Sequence, residues 1–362
     1  MNILKNKTSI GHLLMAFYLL ASVGCTSQQE SVTSDQMNLE YVGVAAEQAG
    51  MHVWGSSPVM GPDGKVHLYA AQWPMDTQKD FSGWYKDCEI AHYVSDSPEG
   101  PFEFVRIAIA DQDGTFNAPH NPSIQYIDGL YVLSFIVNSN NDLKTQRICM
   151  MVAEDLNDNW RPAAGAEADG TILRKSSDST VWSYTARLGC SNPSLIKYKD
   201  KYLLYNKSVV KRTQREGYVY TYGVAIADNV EGPYIHQKER ITPESMPLED
   251  AYAFTLNDSV FFFSRDFGAR KGSSGGGLLW KSADGIDFPV KSVTRAYEDL
   301  AFYVGEEALE HAHVYRGKKD GHLERVQVLS IDGKPAYIYF AVGLNVKEGY
   351  GSGSHVFKVL YK

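Results

Sequence analysis

An all-β, five-bladed β-propeller is predicted by three observations: a hairpin pattern that recurs five times, Gly/Pro turns that close the repeats, and no sustained helical period. The openings are Gly-Ser-Ser-Pro-Val (55–59), Asn-Pro-Ser-Ile-Gln-Tyr-Ile-Asp-Gly (121–129), Asn-Pro-Ser-Leu-Ile-Lys-Tyr-Lys-Asp (192–200), Asp-Ala-Tyr-Ala-Phe-Thr-Leu-Asn-Asp (250–258) and Arg-Val-Gln-Val-Leu-Ser-Ile-Asp-Gly (325–333). Each joins a short strand to a second, alternating strand through a tight turn rich in Asp, Asn or Gly, which is the hairpin signature. The closing pattern is Glu-Gly-Pro-Phe (99–102) and Glu-Gly-Pro-Tyr (231–234), each after an apolar strand, with weaker relatives at 155–160 and 282–288. Four strands per repeat follow. Aligned on Pro58, Pro122 and Pro193, the first openings are 64 and 71 residues apart, so extra residues are assigned to loops. The last strand, His355–Tyr361, is expected to pair beside the first blade and close the ring.

Composition agrees with a globular chain: 44% hydrophobic and 22% charged residues. A formal charge of −8 without a basic stripe argues against nucleic acid as a partner. Lys5 and Lys7 precede an apolar run, Leu13–Val23, that is too short for a bilayer span and reads as an export signal. Gly24-Cys25 then resembles a bacterial lipoprotein signal, with Cys25 as the lipidated residue. Residues 1–25 are read as signal, 26–40 as a polar tether and 41–362 as the propeller. The expected location is the periplasm or cell surface, as an outer-membrane lipoprotein whose membrane contact is limited to that anchor. Cys88, Cys149 and Cys190 have no metal-ligand spacing and are assigned to the interior.

In a propeller the innermost strand of each blade lines the central channel, so residues at its start ring the channel mouth. These are Trp54–Ser57, His120–Asn121, Ser191–Asn192, Glu249–Asp250 and Glu324–Arg325. Adjacent acids just ahead of apolar strands are costly to bury unpaired, so they call for a reason. Glycosidic bond cleavage supplies one, since it uses a carboxylic acid and a second carboxylate. Glu249 is the preferred general acid and Asp250 its rival, Glu324 the second carboxylate, and His120 a candidate base. Trp54, His52, Trp73, Trp84 and Trp182 are candidate walls for a sugar face. Arg187, Lys207, Arg265 with Asp266, and Arg325 would favour an anionic sugar. His311 and His313 are expected to reach the same mouth. His355 is the candidate to face the channel and contact a water or ion; a structural calcium there stays open, and no cofactor is required.

The two Asn-Pro-Ser openings, the Glu-Gly-Pro turns and the Leu-Glu-Arg-Val-Gln-Val-Leu run (323–329) together resemble the five-bladed glycoside hydrolases of the family 43 superfamily over about residues 50–361. The resemblance implies a secreted or surface enzyme acting on a plant or algal poly- or oligosaccharide. It implies a base Asp at the opening of blade one, an orienting Asp at that of blade three and an acid Glu in blade four. Here these fall near Ser56–Ser57, at Asn192, and at Glu249 or Asp250, so one of the three acids is kept. A polysaccharide lyase using a histidine base and a non-catalytic surface glycan-binding protein are the alternatives.

Overall fold

The computed structural model describes residues 37–361, apart from 76–79, 112–115, 158, 272–274, 311–312, 315–320 and 346–347. Cys25 and His311 lie outside the described residues, as does the side chain of His313. Five antiparallel sheets follow one another along the chain. Blade one is β2 (Met51–Met60), β3 (Val66–Pro74), β4 (Glu89–Ser95) and β5 (Glu103–Ile109). Blade two is β6 (Asn117–Ile127), β7 (Leu130–Ser139) and β8 (Asp142–Ala153), edged by short β9 (Arg161–Pro162) and β10 (Thr171–Leu173). Blade three is β11 (Ser191–Tyr198), β12 (Lys201–Lys211), β13 (Tyr218–Ala227) and β14 (Ile235–His236). Blade four is β15 (Glu249–Leu256), β16 (Ser259–Arg265), β17 (Gly277–Ser282) and β18 (Thr294–Tyr297). Helices α1 (Leu300–Val304) and α2 (Glu306–Glu310) and a small ladder, β19 (His313–Val314) on β22 (Leu344–Asn345), lie between or beside the last strands. Blade five is β20 (Glu324–Ile331), β21 (Lys334–Val342), β23 (Gly353–Tyr361) and, outermost, β1 (Met37–Ala46).

The predicted hairpins are present because their turns are written into the sequence. Asp128-Gly129, Asn257-Asp258 and Asp332-Gly333 all have positive φ at both central residues, the twist-matched geometry of two-residue hairpins. Both Glu-Gly-Pro turns carry a cis bond, at Gly100–Pro101 and Gly232–Pro233.

Ring closure departs from expectation. The last strand does not join blade one; β23 pairs with β21 on one side and β1 on the other. Met37–Glu40, expected within the tether, already belong to β1, where alternate residues are half-buried and exposed. The first strand among the described residues therefore completes the last blade. Tyr41 sits at this seam, its ring 5.2 Å from Phe357 and its hydroxyl 3.1 Å from His355 Nδ1. His355 thus lies in the third strand out from the axis and turns toward β1, not toward the channel as expected.

The core is divided into wedges between blades. Val59, Tyr69 and Ile90 of blade one meet Ile124, Leu133 and Phe135 of blade two. Val132, Ile148 and Met150 meet Leu195, Leu204 and Ala225 across the next interface, and similar clusters fill those between blades three and four, four and five, and five and one. Inner strands β2, β6, β11, β15 and β20 contact one another in turn around the axis.

Closure by β1 makes a stability prediction. Tyr41→Ala removes a ring contact and a seam hydrogen bond and should cost about 2 kcal/mol, read as a lower denaturation midpoint. The exposed neighbour Val42, replaced by Ala, should change stability by less than about 0.5 kcal/mol.

Candidate active site

Each inner strand begins with a β-bulge at an equivalent point: between Trp54 and Ser57, His120 and Ser123, Ser191 and Ser194, Glu249 and Tyr252, and Glu324 and Gln327. The residue after the first of each pair is left-handed: Gly55 (φ 58°), Asn121 (51°), Asn192 (50°), Asp250 (50°) and Arg325 (53°). Gly, Asn and Asp tolerate this region; an Arg there is strained. The bulges also correct the alignment on proline, because Ser57, not Val59 as the pairing of Pro58 with Pro122 implies, corresponds to Ser123 and Ser194. The blade-one position equivalent to Asn192 and Asp250 is consequently Gly55. The expected base position near Ser56–Ser57 moves to a residue with no side chain.

These five residues meet around the axis. Asn121 Nδ2 donates to Asn192 Oδ1 (3.0 Å), and Asn192 Nδ2 donates to Asp250 Oδ1 (3.1 Å). The same Asp250 oxygen lies 3.7 Å from Arg325 Nη1. A Cβ built on Gly55 would stand 3.4 Å from both Arg325 Nε and Asn121 Oδ1.

Above the ring opens a cavity of about 320 Å³. One half is aromatic, formed by Trp54, Trp73, Phe81 and Trp84 with His120. Phe81 packs edge-on against Trp54 (4.9 Å) and Trp73 (5.0 Å), and Trp84 against His120 (5.0 Å). The other half is charged. Lys207 Nζ lies 3.1 Å from Glu249 Oε1; Arg265 Nη1 lies 2.6 Å from Glu324 Oε1 and 3.8 Å from Glu249 Oε2. Because both oxygens approach the same Arg265 nitrogen, they sit closer together than the roughly 6.5 Å at which an inverting carboxylate pair begins.

Protonation differs sharply among these groups. Asp250 is buried, and that burial, with Glu249 beside it, raises its carboxyl to about 6 against the opposing pull of Arg325 and Lys207. Burial disfavours the Lys207 ammonium, but the nearby carboxylates of Glu249 and Asp250 prevail and raise its pKa. Burial lowers His120 to about 4, with Arg325 and Lys207 adding to the effect. Its Nδ1 lies 2.6 Å from the Ala118 carbonyl and so carries the ring proton, leaving Nε2 as an acceptor facing Gln146 (3.3 Å).

The cavity thus gathers Trp54, His120, Asn121, Asn192, Lys207, Glu249, Asp250, Arg265, Glu324 and Arg325, all candidates from the sequence. Other candidates face elsewhere. His52 stacks behind Trp73 (5.2 Å) and bonds Ser352, so it buttresses the wall without joining it. Arg187 is exposed and lies over the Tyr218 ring, outside the cavity lining. Asp266 is fully buried and accepts from the backbone nitrogens of Arg270 and Lys271, which makes it a loop anchor. Trp182 packs on Ala186, Val210 and Val219. Among the described residues no group of three or more His, Cys, Asp or Glu converges as a metal site, so the calcium expectation finds no ligand cluster there. Residues not anticipated are Gln146, Tyr220 under Lys207 (5.5 Å), and His322, whose Nδ1 accepts from Arg265 Nη2 (2.8 Å). His322 stands two residues before Glu324, the only hint its sequence position offers.

No family model matches this sequence, and no curated protein does. Solved structures do share its fold. Zg3597, a family 117 glycoside hydrolase produced by the marine bacterium Zobellia galactanivorans, is 16% identical, with 90% of this chain and 91% of that one covered and a TM-score of 0.63. BT0996, in an RGII complex, is 12% identical over 89% of this protein and 92% of its own length, at 0.63. An α-L-arabinanase from Cellvibrio cellulosa complexed with arabinohexaose is 12% identical over 86% and 93%, at 0.54. The chain is a five-bladed propeller that shares its fold with these three proteins.

Asp250 gives a signed pH prediction. Its native pKa is raised, so between about 4 and about 6 the native state holds a proton that the unfolded state releases, and rising pH then costs stability. Relative to wild type, Asp250→Asn should gain stability across that window and show no further relative change above about pH 7. Denaturant titrations at several pH values read the difference. A constant offset would show that Asp250 titrates normally.

Proposed function

We propose that this protein is a glycoside hydrolase that releases a sugar from a plant or algal oligosaccharide in the central cavity. One observation carries the reading: a buried carboxyl with raised pKa, Asp250, faces a sugar-sized cavity with an aromatic wall. A carboxyl whose proton affinity is raised to about 6 stays protonated into mildly acidic conditions, which suits protonation of a leaving glycosidic oxygen. The sequence favoured Glu249 for this step, but Glu249 is bracketed by Lys207 and Arg265. The second carboxylate comes from the Glu249–Glu324 pair, which Arg265 holds together, and Lys207 and Arg265 orient hydroxyl or acidic groups of the substrate. The apolar face of a sugar ring would lie on Trp54 or Trp84. His120 fits proton abstraction poorly, because its ring is buried with a lowered pKa, and this weakens the lyase reading.

A second reading, glycan binding without turnover, is favoured by Gly55, which leaves the blade-one position without a base. Export and lipidation at Cys25 belong to the same proposal, as the way such a protein would be held near its polymer.

A panel of plant and algal oligosaccharides, with products read by mass, tests the proposal. Turnover is expected, and Asp250→Asn should lower kcat by about 10²–10⁴-fold with folding retained. Saturable binding without product from any glycan would replace hydrolysis by recognition. Full activity in both Asp250→Asn and Glu249→Gln would remove blade four from the chemistry. Separately, Cys25→Ser should shift the protein from the detergent phase to the aqueous phase in a phase-partition assay.

A further inference from the structure

Tyr218, Tyr220 and Tyr222 alternate along β13 and so share one face of the strand, with Val219 and Thr221 on the other. Their exposure rises toward the start of the strand. Tyr222 is fully buried, its hydroxyl accepting from the Ala251 backbone nitrogen. Tyr220 is half-buried and lines the cavity, and Tyr218 is 47% exposed. Phe267, 40% exposed, extends the row onto blade four, its ring 5.2 Å from that of Tyr220. These rings climb out of the cavity and form a lip, whereas Trp54, Trp73 and Phe81 on the opposite side are buried. Each ring of the lip carries a cation: Lys207 over Tyr220 (5.5 Å), Arg265 over Phe267 (5.7 Å) and Arg187 over Tyr218 (5.2 Å). Lys207 and Arg265 are committed to Glu249 and Glu324. Arg187 is exposed, and no carboxylate among the described residues pairs with it. Lys211 and Arg215, both exposed beside Glu216, leave the adjoining β12–β13 turn positive in a chain of net charge −8.

We propose that the glycan leaves the cavity over this lip and carries a uronate in its segment beyond the scissile bond. Sugar faces lie on Tyr220, Phe267 and Tyr218, and the uronate carboxylate on Arg187. The proposal rests on the reading of the central cavity as the sugar site. A glycan held there continues through the mouth, and exposed rings flank that mouth where blades three and four meet. Side chains on one face of a strand follow one another at about 6.6 Å, near the step between consecutive sugar rings. Aromatic rings supply area for the apolar face of a sugar. The planar fork of a guanidinium matches a carboxylate through two parallel hydrogen bonds. Arg187 stands outside the cavity, joined to it by Leu188 in the lining and by its backbone nitrogen donating to the Val209 carbonyl. It therefore reads a sugar beyond the one released.

Binding, read by calorimetry at about pH 7, tests this without turnover. The probes are tetragalacturonate and tetramannuronate, with cellotetraose as the neutral match and a κ-carrageenan tetrasaccharide as the sulfated one. The whole protein is expected to bind at least one uronate about tenfold tighter than cellotetraose, and high salt should erase that margin. Arg187→Ala should lose about tenfold in uronate affinity, while Tyr218→Ala should weaken every probe that wild type binds. Both side chains are exposed, so both variants should keep the wild-type Tm. Lys199→Ala, on the hairpin turn between β11 and β12, should bind as wild type does. No binding of either uronate, equal affinity for uronate and cellotetraose, or tighter binding of the sulfated probe would overturn the proposal. So would wild-type uronate affinity in Arg187→Ala and Tyr218→Ala. Uronate binding through Arg187 and Tyr218 without product from any glycan would overturn hydrolysis and leave the lip assigned.

Discussion

The structure turns on a ring of five left-handed residues, one at the head of each inner strand. Each bulge interrupts its ladder and turns one residue toward the axis, a side chain in four blades and Gly55 in blade one. The side chains then link Asn121 to Asn192, Asn192 to Asp250 and, more loosely, Asp250 to Arg325. The residue just before each bulge contributes to the cavity wall, which is why Trp54, His120, Ser191, Glu249 and Glu324 all line one space despite lying far apart in the chain. The cost of left-handed backbone restricts these positions to Gly, Asn or Asp, with Arg325 as the exception.

The cavity above the ring has an aromatic half from blades one and two and a charged half from blades three to five. This division separates two tasks. Rings offer area to an apolar face at little conformational cost, while the charged half sets proton affinities. Within it, partners decide the outcome. Glu249 and Glu324 share Arg265, but Asp250 has a carboxamide donor at hydrogen-bond distance and its cations farther off, so burial prevails.

Much of this was legible because it is local. Alternation with period two and the Asp-Gly and Asn-Asp turns give the hairpins, and polar residues ahead of apolar strands mark the channel mouth. The misreadings come from contacts distant in sequence, and from bulges and strand ends that the residue pattern does not show. Met37–Glu40 look like tether until β23 offers them an edge. Pro58 resembles Pro122, yet the bulge sets Ser57 as the true counterpart of Ser123. Asp266 follows Arg265 directly, but the end of the strand turns it into a loop while Arg265 faces the cavity. Arg187 precedes its opening strand and reaches Tyr218 outside the cavity instead.

Five blades, and the short segments that open them, follow from the order of residues alone, since turn chemistry and strand period act between near neighbours. Other features arise only when the blades pack together. Blade one contributes a glycine to the ring, β1 closes the last blade, and Asp250 is buried where its carboxyl is raised. Those outcomes depend on burial and charge supplied by other blades, and proton affinity follows from the sum of surroundings that no single segment encodes.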